Sequence, residues 1–410
     1  MESNKLINLM DMEKRIKLHS KSQKRNKKFD SLNLNKDISG YYWGIPRRVL
    51  IPKDAGEGMR EVFMYDSDDS FILKMINEIV AEKFDRSLSK NLYSYREGYS
   101  CLDAVKYVLN NSKGKYGVKL DITNYFLQVP LENIFILLEE IFKNRDELET
   151  MKRFFSDQRY IDIDGIEKER FLSLKPGNAF SAFLSNYALK GIDKQMSASV
   201  EVYSRYSDDI LMYDSSKERL NSAINKLKQN LQALGLEIKD KKTEFFNPGD
   251  DLTYLGLKTD WKEIDISKKR FNKVKKMIKT ECKKYRKEVE LGNISKEEAV
   301  KQVINWYNKR IYRVPPVIKE SYSWASSTFR NITTYSTLRE IDFYFINTLR
   351  WVYTGKHNKA NVYKLTTDRI KELGWVSLVE MFYTYHKDID VFNDLACIVV
   401  SRGGLSIEGK

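Results

Sequence analysis

The chain of 410 residues is poor in the residues on which many active sites depend. It has three cysteines, Cys101, Cys282 and Cys397, and three histidines, His19, His357 and His386. The cysteines are scattered, odd in number and form no Cys-x-x-Cys pair, which excludes a disulfide framework and a cysteine zinc site and fits a reducing cytoplasm. No two histidines stand at a metal-ligand spacing. Histidine triads and zinc chemistry are therefore poorly supplied, and catalysis has to rest on carboxylates or lysines. No apolar run approaches the roughly 18 residues of a membrane-spanning helix. The N-terminus lacks the apolar stretch of a secretory signal. Together these absences predict a cytoplasmic protein without a membrane partner.

Basic charge is abundant, and its placement is uneven. The formal net charge is +14. Met1 to Lys28 holds nine Lys/Arg against three Asp/Glu, and Lys268 to Lys287 holds eleven against one, +6 and +10. The remaining 362 residues carry about −2 by the same count. Two basic patches on a balanced protein match polyanion binding. Composition alone also allows solvated helix faces.

The length suits two or three packed units, and a hydrophobic content of 42% supports a sizeable core. Residues 1–30 read as a basic helical arm. Residues 41–66 alternate as strands around a turn at Asp54–Gly58. Residues 71–110 read as helices broken near Gly98. A buried strand over 116–122 ends in a carboxylate, and 131–142 is an amphipathic helix. A hairpin is expected about Asp164–Gly165, a helix from Asn178 to Lys190, and two strands over 201–214 with Asp208–Asp209 at the bend. Beyond Trp261 the pattern is helical almost throughout. Phe271, Val274, Ile278, Cys282, Tyr285 and Val289 form an apolar stripe with lysines on the other faces. Residues 321–392 are helical and aromatic-rich, with Trp324, Trp351, Trp375 and Tyr383 expected mostly in the core. There is no internal repeat.

Asp121 at a strand end is placed for a metal or a proton, and alone it means little. An Asp-Asp pair in a tight bend is ordinarily a solvated turn. Together, three carboxylates from two neighbouring strands can hold two Mg²⁺ ions about 3.5–4 Å apart. A divalent cation would also relieve the repulsion between Asp208 and Asp209.

Order and context decide between these readings. Lys119-Leu120-Asp121-Ile122-Thr123-Asn124-Tyr125-Phe126 is followed by Leu174-Lys175-Pro176-Gly177-Asn178-Ala179-Phe180-Ser181 with Ser185-Asn186, and then by Tyr206-Ser207-Asp208-Asp209. Leu234-Gly235-Leu236-Glu237-Ile238 with Lys242-Thr243 comes next, and Tyr254-Leu255-Gly256-Leu257 closes the series. Upstream stand Ile51-Pro52-Lys53 with Gly58 and Arg60, and the block Tyr93-Ser94-Tyr95-Arg96-Glu97-Gly98-Tyr99-Ser100. Across roughly residues 45–258 this order resembles the reverse transcriptase family, in a group II intron, retron or abortive-infection-like lineage and most like defence-associated bacterial enzymes.

The resemblance implies an α+β right-hand polymerase. It divides the chain into a basic arm (1–30), fingers (31–115), a palm with fingers-associated segments (116–258), a helical thumb (259–320) and a helical C-terminal region (321–410). It implies Asp121, Asp208 and Asp209 as catalytic carboxylates, and those three with the Ile122 carbonyl as ligands of two Mg²⁺ ions, with Mn²⁺ an alternative. Lys53 and Arg60 would hold the triphosphate of a dNTP, and Phe126 would exclude a ribose 2′-hydroxyl. Gly177 would let the template–nucleotide pair approach the backbone, and Gly256 and Leu257 would support the primer end. In the thumb position, Lys268, Lys269, Lys275 and Lys276 would meet nucleic-acid phosphates. One departure is plain: the family's second block reads Pro-Gln-Gly, and here Lys175-Pro176-Gly177 stands, without the glutamine that lies beside the nucleotide.

The expected activity is RNA-directed DNA synthesis, with a structured noncoding RNA as template, a DNA product and a role in antiphage defence. The alternatives are a template-independent nucleotidyl transferase of the abortive-infection type and an RNA-binding scaffold with an inactive palm. The intact Asp121, Asp208 and Asp209 argue against the scaffold. No acidic cluster resembling a ribonuclease H and no His/Cys endonuclease is read beyond the thumb. Oligomeric state is left open.

Overall fold

The computed structural model describes residues 41–52, 58–313 and 323–401. The basic arm at 1–30 and Lys53 lie outside the described residues. The chain divides into two compact units between Asp250 and Asp251.

The first unit runs β1 (Arg47–Pro52), β2 (Met59–Met64), α1 (Ser67–Phe84), α2 (Cys101–Ser112), β3 (Tyr116–Asp121), one-turn α3 (Tyr125–Gln128), α4 (Leu131–Ile141), α5 (Arg145–Ser156), β4 (Arg159–Ile161), β5 (Glu167–Glu169), α6 (Ala179–Ala188), α7 (Lys190–Ser199), β6 (Val202–Tyr206), β7 (Asp209–Asp214), α8 (Lys217–Ala233) and β8 (Glu244–Phe246). The expected strand pair is an antiparallel hairpin with Arg47 opposite Met64 and Pro52 opposite Met59. It belongs to a sheet of order β2-β1-β4-β5, where β4–β5 is the hairpin expected about Asp164–Gly165.

A second sheet, β6-β7-β3-β8, carries the acidic residues. One face of β3 and β7 is apolar because helices cover it, and the other face of β3 carries Lys119 and Asp121. Val118, Leu120, Ile210 and Met212 are buried with Ile76 of α1, Leu138 of α4, Phe180 and Leu184 of α6 and Leu227 of α8. The helix starts are set by local chemistry. The Asp66 side chain accepts from the N–H groups of Asp68 and Asp69, so α1 begins at Ser67, earlier than periodicity indicates. Ser100 and Asp103 cap α2 reciprocally, so the break near Gly98 extends over 88–100. Asn178 caps α6, which ends at Ala188, and a second helix follows Leu189.

The second unit opens with an antiparallel sheet of β9 (Leu252–Tyr254), β10 (Leu257–Thr259) and β11 (Ile264–Ile266). The helices α9 (Lys268–Glu290), α10 (Lys296–Tyr312), α11 (Trp324–Phe329), α12 (Ser336–Thr354), α13 (Asn361–Lys364), α14 (Thr367–Glu372), α15 (Leu378–Lys387) and α16 (Ile389–Ser401) follow. The α9 stripe buries Val274, Ile278 and Cys282, with Phe271, Tyr285 and Val289 half-buried beside them. Aromatic packing fills the unit. Tyr307 stacks on Phe345 at 3.9 Å, and Phe329 meets Phe382, Tyr385 and Phe392 edge-on. Trp375 is core, Trp324 and Trp351 are half-buried, and Tyr383 is exposed, contrary to expectation. Tyr383 lies on the outer side of α15, whose inner side buries Leu378, Met381 and Phe382. Among the described residues no helix is long and apolar enough to cross a membrane. Antiparallel sheets with segregated helices make the fold α+β.

Candidate active site

β3 and β7 are antiparallel neighbours in register, and that register places Asp121 directly opposite Asp209. Ser207 and Asp208 form the bend between β6 and β7, with Ser207 in the left-handed region at φ +59°. The Ile122 N–H donates to the Asp208 carbonyl at 3.1 Å, and Ile122 bridges Ile238, so the strand end and the bend are tied together.

Three carboxylates now share a small space, and their protonation reflects it. Burial, then the charge of Asp121, raises the Asp208 carboxyl above its ordinary value, against the pull of Lys242 and Arg60. Burial, then Asp208 and Asp121, pushes Asp209 up to about 6. Lys242 supplies the nearest counter-charge: its Nζ lies 2.7 Å from Asp121 Oδ2. Burial works against the Lys242 ammonium, but Asp121, Asp208 and Asp209 outweigh it and raise its pKa.

The chemistry of these donors suits a hard divalent cation, which prefers carboxylate and carbonyl oxygens and would relieve the same crowding. Among the described residues, no three or more His, Cys, Asp or Glu side chains are gathered as ligands around one point. Lys242 is the cation that Asp121 engages here.

The other predicted residues fall in several places. Arg60 sits exposed on β2, and its charge acts on Asp208. Phe126 on α3 is half-buried: its ring meets Tyr125 at 5.8 Å and Tyr95 edge-on at 6.4 Å. Its carbonyl accepts from Leu174 N–H at 3.1 Å, which ties it to the segment leading into Gly177. Gly177 has φ +134°, and a Cβ there would come within 2.2 Å of the Phe63 carbonyl oxygen. The neighbouring Pro176 carbonyl accepts from Phe63 N–H at 2.7 Å. Packing against β2 therefore demands glycine at this position whatever else approaches it.

Lys175, the departure in this block, is 2% exposed. Its Nζ donates to the Phe154 carbonyl at 2.8 Å and to the Asp157 carbonyl. In the second unit, Lys268, Lys269 and Lys276 are exposed. Lys275 differs from the expectation for a phosphate-facing cation: it lies over the rings of Tyr344 at 4.8 Å and Phe271 at 5.1 Å. Its position on α9 falls at the margin of the buried stripe, where α12 supplies an aromatic face.

Sequence reading missed what holds this site in place. Arg205 and Asp193 form a fully buried ion pair beneath the acidic bend. A signal existed: an arginine inside a strand as apolar as β6 needs a buried acidic partner. Which acid that is depends on the packing of α7.

Residues 64–259, the acidic turn included, match the family model described as reverse transcriptase (RNA-dependent DNA polymerase). That stretch, just under half of the chain, is similar to a reverse transcriptase domain. The match fits the α+β fold described above. No curated protein matches the sequence. Solved structures similar to the chain include telomerases. A Candida tropicalis telomerase truncated from its C-terminal domain is 12% identical, covering 55% of each chain at a TM-score of 0.41. Apo telomerase from Candida tropicalis is 11% identical over 86% of this chain and 68% of that one, at a TM-score of 0.45. Telomerase from Candida albicans, in complex with a fragment of telomeric RNA, is 12% identical over 85% of this chain and 64% of that one, at 0.41. The chain thus spans 55% of the first of these and 64% of the last.

Proposed function

We propose that the chain is an RNA-directed DNA polymerase, a reverse transcriptase that extends a nucleic-acid 3′ end with dNTPs using Asp121, Asp208 and Asp209 as its catalytic carboxylates, and that its template is a dedicated structured noncoding RNA. The observation that carries the reading is the register that sets Asp121 opposite Asp209, with Asp208 at the adjoining bend, inside the matched domain.

Asp121, Asp208, Asp209 and the Ile122 carbonyl would hold two Mg²⁺ ions. When bound, such ions lower the pKa of a 3′-hydroxyl and neutralise triphosphate charge. The three carboxylates orient and anchor. Arg60, whose charge already reaches Asp208, draws the anionic nucleotide toward the turn from β2, with Lys53 as its companion. Phe126 sets a bulky ring where a ribose would carry its 2′-hydroxyl. Gly177 keeps the chain beneath the templating pair narrow. Residues 31–115 act as fingers, 116–258 as palm and 259–320 as thumb, with 321–410 completing the helical region. The exposed lysines of α9, Lys268, Lys269 and Lys276, meet phosphates. Lys275 contributes there as a ring-stacked cation at the margin. The basic arm over 1–30 offers a second surface for an RNA that stays bound.

Replacing both Asp208 and Asp209 by Ala should abolish dNTP incorporation while RNA binding stays within about twofold, because affinity comes from the basic surfaces. Incorporation above background by the purified double variant would refute the assignment.

The Lys175-Pro176-Gly177 departure supports a defence-associated role, in which the DNA made protects a bacterium against phage. It also keeps a second reading in play, template-independent transfer by the same carboxylates. Sequencing RNA and DNA that copurify with the chain separates the two. A product complementary to one enriched RNA supports copying, and a product with no complement in the bound RNA supports untemplated addition. Protection across a phage panel that the double variant retains would remove the defence role.

A further inference from the structure

The bend that carries Asp208 and Asp209 is held by side chains that no motif reading assigns. Arg205 and Asp193 are paired through two parallel hydrogen bonds, Nε to Oδ1 at 2.7 Å and Nη2 to Oδ2 at 2.6 Å, with both side chains fully buried. Tyr203 donates its hydroxyl to the same Asp193 oxygen at 2.7 Å. The guanidinium has N–H groups left over, and they turn toward the bend. Nη1 donates to the Ser207 carbonyl at 3.1 Å, and Nη2 to the Asn186 carbonyl at 3.2 Å. From the other side, the Ser94 hydroxyl accepts the Ser207 N–H at 2.8 Å and donates to Asn186 Oδ1 at 3.2 Å. Asn186 closes the ring by donating to the Ser94 carbonyl at 2.7 Å. Both backbone polar groups of Ser207 are therefore satisfied by side chains.

This arrangement is hard to explain by stability. A buried ion pair gains little over apolar residues of the same shape, because desolvation offsets the attraction. What the pair does provide is direction. Ser207 occupies the left-handed region without being glycine, a conformation that persists only where the surroundings over-determine it. The next residue is Asp208. A bend free to relax would swing that carboxylate away from Asp121.

We propose that Arg205, clamped by Asp193, and Ser94, clamped by Asn186, are positioning residues that set the placement of Asp208 and Asp209 relative to Asp121. The inference rests on the proposed catalytic role of those carboxylates. Each residue works through the backbone of Ser207, and neither touches a reacting atom. A planar fork is required at Arg205, since a lysine ammonium keeps the charge and loses the second and third directions.

The test uses the purified full chain, primer extension on an RNA template, and a Mn²⁺ titration followed by electron paramagnetic resonance. Ser94→Ala and Arg205→Lys should lower kcat about 10- to 100-fold and weaken bound Mn²⁺ by a similar factor, with the KM for dNTP and RNA binding within about threefold of wild type. Ser94→Thr, which keeps the hydroxyl, should restore both. If Arg205→Lys fails to fold, Ser94→Ala decides. A folded Ser94→Ala variant with wild-type kcat and wild-type Mn²⁺ affinity would overturn the inference, and so would failure of Ser94→Thr to rescue. Should the wild type show no incorporation that depends on Asp208 and Asp209, the catalytic reading falls, and the Mn²⁺ titration alone settles whether Ser94 and Arg205 shape the acidic bend.

Discussion

Lys175 is a buried amine whose hydrogen bonds go to two backbone carbonyls. Burial lowers its pKa from 10.5 to about 8. Between those values the unfolded chain binds a proton that the folded chain does not. Its penalty is therefore fully present below about pH 8, and stability rises with pH through the window, by up to about 3 kcal/mol. Chemical denaturation of wild type and Lys175→Met across pH 7.5–10.5 (an interval chosen to span roughly that window) should show wild type gaining on the variant. Parallel curves would mean that the amine stays charged. In the sequence Lys175 registered as a departure from a motif. Its role as a tie to the carbonyls at the end of α5 could be seen only with the chain folded. Phe126 shows the converse: its proposed role comes from the sequence, and the fold adds only what its ring touches. Tyr95 stands edge-on to the Phe126 ring, so Phe126→Ala should relax the dNTP/NTP incorporation ratio strongly, and Tyr95→Ala should do so in the same direction but less. An unchanged ratio in Phe126→Ala would leave that ring a core residue only.

At the scale of elements, α9 separates into an apolar stripe and a basic ridge. The buried positions Val274, Ile278 and Cys282 recur every four residues, so the opposite side carries Lys276, Lys279 and Lys283, all exposed. Lys279 and Lys283 share the exposed side with Lys276, whereas Lys275 stacks on Tyr344. Every lysine–phosphate pairing removed should reduce the slope of log K against log salt by about 0.9 for duplex. Neutralising Lys276, Lys279 and Lys283 together should flatten the slope measurably, and Lys275→Ala should change it least. A triple variant with the wild-type slope would place this ridge away from nucleic acid. The strand pair β3–β7 behaves differently, because period and composition already indicated two buried strands. Only their register, Asp121 opposite Asp209, brings the distant Asp121 beside the adjacent pair Asp208–Asp209.

The whole molecule consists of two units with separate cores, and this has a consequence for unfolding. Trp43 lies in the first unit, and Trp261, Trp306, Trp324, Trp351 and Trp375 lie in the second. Tryptophan fluorescence therefore reports chiefly on residues 251–410, and far-ultraviolet circular dichroism reports on both units. The two probes should give non-coincident denaturation curves. Superimposable curves with one midpoint would show that the units unfold together. Much of this organisation was already legible: the strand pair within 47–64, β3 ending at Asp121, a bend just before Asp209 and helices from Lys268 onward follow from periodicity and turn chemistry, which act over a few residues, whereas the strand Ile264–Ile266 interrupts the helical pattern expected after Trp261. The order of the blocks carried the family resemblance, although the second block departs from the pattern at Lys175. What the sequence could not determine were the partners of isolated polar residues: Asp193 for Arg205, Asp121 for Lys242, the Phe63 carbonyl against Gly177, and the ring beneath Lys275. Those pairings join segments far apart along the chain, and which groups meet is decided by how helices and sheets pack, where burial leaves each charge or backbone group only the partner that tertiary structure places beside it.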